Sequence, residues 1–160
     1  MHLNFEEVDL QKIIGEQIAM VKAEQEGKKK VEITTSFQLS DPIIKADALH
    51  LSQVIGNLLE NAVKYSDTEV NIRISCRSQG RFVRIMIEDK GQGIKKEEIK
   101  HIFDRNYRTR ARKNSKIHGF GIGLSYVKMI VKAHKGTVQV ESEPEKGTTF
   151  IIKLKYGRKN

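Results

Sequence analysis

The stretch Glu88-Asp89-Lys90-Gly91-Gln92-Gly93-Ile94 closes an alternating apolar run, Val83, Ile85 and Ile87, with a carboxylate and then two glycines a residue apart. Such a run is the period-two signature of a half-buried strand, so Asp89 stands at its mouth. The glycines let a ligand approach the backbone closely. An ionised carboxylate offers only acceptor oxygens, which suits a planar donor such as an exocyclic amine. Taken alone the string reads more readily as a D-x-G-x-G turn, because short glycine motifs recur by chance.

Two further groups point to a phosphorylated ligand. Asn57 and Asn61 lie one helical turn apart at the edge of an apolar stripe. Asparagine is a poor helix-interior residue, and paired amide oxygens are good ligands for a Mg²⁺ that keeps phosphate oxygens and several waters. The alternative is a hydrogen-bonded pair that satisfies neighbouring backbone. Gly119-Phe120-Gly121-Ile122-Gly123-Leu124 opens a helical pattern carrying Leu124, Val127, Ile130 and Val131. Free N–H groups and the helix dipole there attract phosphate. A Rossmann loop is excluded by the missing G-x-G-x-x-G spacing and a Walker loop by the missing G-K-S/T ending.

The elements that position these residues follow from periodicity. Phe5 to Leu10 predicts a short strand and the next residues, to about Ala23, an amphipathic helix with Asp9 as its N-cap. Val31 to Phe37 predicts a strand, and Asp41 to Lys45 a turn into a short extended piece. Asp47 then caps the central helix, from Ala48 to about Tyr65, whose buried stripe is Leu51, Val54, Ile55, Leu58, Leu59, Ala62 and Val63. Glu69 to Arg77 and Arg81 to Asp89 predict a hairpin, Lys95 to about Ile102 a short helix, and Val138–Val140 with Phe150–Leu154 a second hairpin turning at Glu143 to Gly147. One aliphatic and one polar face per strand predicts an α/β chain: a two-layer α/β sandwich with a mixed sheet and helices on one face only.

The 160 residues suit a single domain, residues 1–160. No apolar run of about 18 residues suggests a membrane span, and no signal peptide is evident. The single cysteine, Cys76, alternates inward with Val70, Ile72 and Ile74 and reads as a buried structural thiol that fits a reducing compartment. The formal charge of +9 is uneven. Lys28-Lys29-Lys30 and the basic C-terminus read as solvated surface, and no aromatic-rich strand stacks bases, so nucleic acid is not the expected partner. Arg105 to Lys116 instead places its cations beside the glycine series.

Together these motifs resemble the catalytic, ATP-binding domain of sensor histidine kinases, within the gyrase, chaperone, kinase and mismatch-repair ATPase superfamily with its Bergerat-type fold. Asn57 to Tyr65 is similar to the N box, Asp89 to Ile94 to the first glycine box, Ile102 to Arg108 to the F box, Gly119 to Leu124 to the second glycine box and Gly147 to Phe150 to the closing one. The resemblance implies that Asp89 accepts a hydrogen bond from the adenine amino group, that Asn61 coordinates Mg²⁺ with Asn57 assisting, that Lys64 and Arg108 approach the phosphates and that Tyr65 packs on adenine. It implies further nucleotide contacts from Gly91, Gly93, Ile94, Phe103, Gly119, Gly121, Gly123, Leu124 and Thr149, and catalytic roles for Asn57, Lys64 and Arg108. Residues 104–118 correspond to a mobile ATP lid.

Four positions depart from the commonest pattern: Lys90, Asn106, Phe120 and Ile122. None of His2, His50, His101, His118 and His134 is set in a phosphoacceptor helical hairpin. The expectation is therefore a cytoplasmic catalytic fragment of a membrane-anchored bacterial sensor, itself free of membrane contact. Its expected partners are a histidine-bearing dimerisation domain and a downstream response regulator. A regulatory serine kinase or hydrolysing ATPase of the same superfamily is the alternative.

Overall fold

A computed structural model describes residues 2–105 and 123–156. Its centre is a five-stranded sheet formed by β2 (Lys30–Gln38), β4 (Glu69–Gln79), β5 (Phe82–Asp89), β7 (Gly147–Lys155) and β6 (Thr137–Glu143), in that spatial order. β2 runs parallel to β4 and every other pair is antiparallel, so the sheet is mixed as expected. The one parallel pair arises because the chain leaves β2, forms β3 (Ile43–Asp47) and the helix α2 (Ala48–Lys64), and only then returns as β4.

The period-two pattern decides which face is covered. Ile72, Ile74 and Cys76 of β4, Val83, Ile85 and Ile87 of β5, and Phe150, Ile152 and Leu154 of β7 are all buried, whereas Arg73, Arg77 and Glu88 on the opposite face are exposed. The helices α1 (Leu10–Gln25), α2 and α4 (Gly123–Ala133) supply the other layer, with α2 packed between α1 and α4. Six large aliphatic side chains of α2, from Leu51 to Val63, reach the interior, each contributing about 1.5–3 kcal/mol of burial.

Some boundaries differ from expectation for local reasons. α1 runs two residues past Ala23, to Gln25. The first hairpin turns at Gly80-Arg81, a tighter connection than Ser78 to Gly80. The short helix expected over Lys95 to Ile102 is reduced to α3 (Lys96–Ile99), which has no side-chain N-cap bond and buries no residue. β1 (Phe5–Asp9) does not join the main sheet. It pairs antiparallel with β3 as a separate two-stranded sheet, Phe5 opposite Asp47 and Val8 opposite Ile44.

Both expected caps form. Asp9 Oδ1 accepts from the Lys12 amide at 3.2 Å and Asp47 Oδ1 from the His50 amide at 3.0 Å. Asp47 does more than cap, because its other oxygen accepts from Asn4 at 2.8 Å, and its backbone N–H donates to Nε2 of buried His134 at 3.0 Å. Burial would raise the Asp47 carboxyl, but the amides of His50 and Asn4 and the His50 ring hold it down at about 2.

Candidate functional site

Asp89 ends β5 with its side chain on the covered face, only 7% exposed. Its Oδ1 accepts from the Gly91 amide at 2.7 Å, and the backbone N–H of Thr148, its direct neighbour on β7, also donates to the carboxylate. Burial raises its pKa to about 6 against those two amides, and Glu88 adds a smaller push upward. The result is a desolvated acceptor at the end of a strand.

The loop after Asp89 requires its glycines. A Cβ on Gly91 would stand 2.6 Å from the Tyr65 carbonyl oxygen. Gly93 has φ +76° and Gly147 φ +115°, and a Cβ on either would run into backbone, of Glu143 and Asp89 respectively. The loop is thus held between the C-terminal end of α2 on one side and the β6–β7 hairpin on the other. Gln92 donates its amide to the Tyr65 carbonyl at 2.9 Å, and Ile94 donates its amide to Ser142 Oγ at 2.8 Å. Ser142 also donates to the Gly147 carbonyl at 2.9 Å and meets Thr148 Oγ1 at 2.8 Å. A cleft of about 830 Å³ lies along the outer side of this loop, lined among others by Tyr65, Asn71, Lys90, Gly91, Gly93 and Ile94.

Asn57 faces the other end. The position of a Cβ on Gly123, the first residue of α4, is 3.9 Å from Asn57 Cγ. Both residues line a second cleft of about 430 Å³ between α1, α2 and α4. Asn61 stands one turn further along α2, half-buried on the same side. Lys64 lies 3.4 Å from the exposed Glu60, a surface pair of little energetic weight that leaves the ammonium available. Leu124 is half-buried against the core.

The structure therefore brings Tyr65, Asp89, Gly91, Gly93 and Ile94 together at one end of α2, and Asn57 and Gly123 further along it. Phe103 is half-buried at the edge of the core, its ring edge-on to Phe150 at 6.2 Å with Lys128 Nζ over its face at 5.7 Å. Arg108, Gly119 and Gly121 lie outside the described residues, as do the departures Asn106, Phe120 and Ile122 and most of the expected lid. Lys90 is exposed.

Thr149, an expected nucleotide contact, stands apart from Asp89, and the expectation for Lys29 needs correction. Thr149 stands opposite Glu88 on the uncovered face, and the residue beside Asp89 is Thr148. Strand alternation required this, since Thr148 shares its face with Phe150 and Ile152. Lys29 is not solvated with its neighbours. It is half-buried, and its ammonium donates to the Val63 and Ser66 carbonyls at 2.7 Å each. Ser142 was missed altogether. Its signal was weak, a single polar side chain on the inward face of an edge strand.

Among the described residues no group of three or more His, Cys, Asp or Glu side chains could hold a metal ion. A metal at this site would depend on amide oxygens and on the ligand's own oxygens. Residues 46–158, most of the chain, match the model of the histidine kinase-, DNA gyrase B- and HSP90-like ATPase family. The chain belongs to that family.

This ATPase-family domain is 43% identical over 125 residues to the sensor protein RprX of Bacteroides fragilis, covering 77% of this chain and 24% of that protein. It is 40% identical over 111 residues to the sensor histidine kinase CusS of Escherichia coli, covering 69% and 23%. The chain spans about a quarter of the length of these curated relatives. Its fold is that of the nucleotide-free catalytic domain of histidine kinase ThkA, with a TM-score of 0.83 at 24% identity over 96% of this chain and 99% of that one.

Proposed function

We propose that this domain binds ATP with the adenine amino group on Asp89 and serves as the catalytic part of a sensor histidine kinase. The observation that carries the reading is the buried Asp89 carboxylate, oriented by the Gly91 and Thr148 amides beside a loop whose glycines leave no room for side chains. A carboxylate so placed accepts a planar N–H donor and rejects a carbonyl. Likeness to named sensor kinases supports the same assignment.

The donor set suits Mg²⁺ held by neutral amides: Asn61, with Asn57 assisting, supplies oxygens, and the charge needed for tight binding comes from the phosphates. Mg²⁺ neutralises phosphate charge when bound. Lys64 and Arg108 are proposed to approach the phosphates, Tyr65 to pack on the base, and Gly119, Gly121 and Gly123 to contact the nucleotide, Gly123 from the first residue of α4. Catalysis by these residues is positioning plus electrostatics. Among the described residues of the N-box helix no carboxylate stands where a base could activate water, because Asn57 is an amide and Glu60 points to solvent with its side chain 59% exposed. The nucleophile is then an imidazole from a separate helical dimerisation domain, and the phosphoryl group passes from there to a response regulator.

The test is to mix the domain with the purified histidine-bearing domain and labelled ATP. Acid-labile phosphate on the histidine domain is expected, with negligible hydrolysis by the ATP-binding domain alone. An isolated-domain ATPase rate of about 1 s⁻¹ or more, or acid-stable phosphate on a protein target, would overturn the kinase assignment.

A further inference from the structure

We propose that Lys29 is a positioning residue for the adenine end of the nucleotide site. This rests on the assignment of the base to Asp89. Lys28 and Lys30 are exposed, and Lys29 alone of the three turns inward. Its ammonium spans two carbonyls at the C-terminal end of α2, Val63 and Ser66, from a position 34 and 37 residues earlier in the chain. Helix C-termini leave carbonyls without intrahelical partners and carry partial negative charge. An ammonium with three donors and no acceptor is suited to both.

The turn that Lys29 holds is the one that meets the base-binding loop. Between Val63 and Ser66 stands Tyr65, whose carbonyl accepts the Gln92 amide and leaves room at Gly91 only for hydrogen. Buried Ser66 stands on the same side of Gly91, its Oγ 3.2 Å from the position of a Cβ there and its hydroxyl donated to the Ala62 carbonyl at 2.8 Å. Gly91 in turn donates to Asp89 Oδ1. Three successive contacts therefore run from the ammonium to the carboxylate. Without the cation, the Tyr65–Ser66 turn loses two charge-assisted bonds, and the loop loses the fixed wall against which it sets Asp89.

A positioning role predicts a defect in base recognition that does not depend on phosphate number. Calorimetric binding of adenosine and ADP to Lys29→Met should weaken by the same factor, about fivefold or more, the lower range for two coupled sites. Lys29→Arg should recover most of the affinity. Val31→Ala, in the strand that follows Lys29 but away from the turn, controls for loosening of β2. It should lower the melting temperature while binding as the wild type does. If Lys29→Met fails to fold, Lys29→Gln carries the same comparison. Unchanged ADP affinity in the Lys29 variant, or an equal loss in Val31→Ala, overturns the inference and leaves the base assignment standing. Absence of ADP binding by the wild type overturns both.

Discussion

Thr148 and Asp89 are direct cross-strand partners between β7 and β5, and the Thr148 amide donates to the Asp89 carboxylate that Gly91 also holds. The carboxylate is satisfied by donors of its own loop and hairpin before any ligand arrives. In Asp89→Asn one of its acceptor oxygens becomes an N–H donor facing other donors. Adenosine binding should weaken by about 1–3 kcal/mol, the cost of a buried polar group left unpaired. Calorimetry with adenosine reads this directly, and wild-type affinity in the variant would remove the base from Asp89.

Because burial raises Asp89 to about 6, its protonation falls in an accessible range. The folded protein holds this proton more tightly than the unfolded chain does. Its contribution to stability is therefore complete below the ordinary value of 3.8 and is lost as the pH rises through about 6. Ligand binding runs the other way, because the ionised form is the stronger acceptor for the base. Adenosine, whose lack of phosphate avoids a second titration, should bind about tenfold more weakly at pH 5 than at pH 8, following the ionised fraction. A flat profile across pH 5–8 would contradict the assignment.

Gly93 and Gly15 should respond oppositely to alanine. At Gly93 the positive φ and the Glu143 carbonyl both oppose a side chain, so Gly93→Ala should cost about 2 kcal/mol or more in urea unfolding. Gly15 is exposed on α1 with nothing within 4 Å of a Cβ, and Gly15→Ala should stabilise by about 0.5–1 kcal/mol.

Cys76 is 1% exposed, and burial pushes its thiol up to about 12. At pH 8 it should resist a disulfide reagent in the native protein and react at once in denaturing urea. Prompt native reactivity would show that the β4 core opens locally.

The fold was legible where one periodicity ran long enough to leave no rival. The stripe from Leu51 to Val63 specified α2, and the inward sets of β4, β5 and β7 specified the covered face. The β1–β3 sheet was not legible, because two five-residue strands more than thirty residues apart carry no signal of their pairing. Lys29 was hidden for a related reason. A lysine run reads as solvated, and which member turns inward depends on a helix end reached only in three dimensions. Thr148 was available from strand alternation alone. The motif drew attention to its neighbour instead.

The contacts that hold the glycine loop after Asp89 join Lys29 to Ser66, Ile94 to Ser142 and Asp89 to Thr148, segments drawn from almost the whole length of the chain. Each closes a long loop whose entropy must be spent before its hydrogen bonds can form. The glycine loop thus has high contact order although the helices around it are local. The geometry of this loop is consequently a property of the completed domain. Neither an N-terminal piece ending at Asp89 nor a C-terminal piece beginning there contains both walls of the loop.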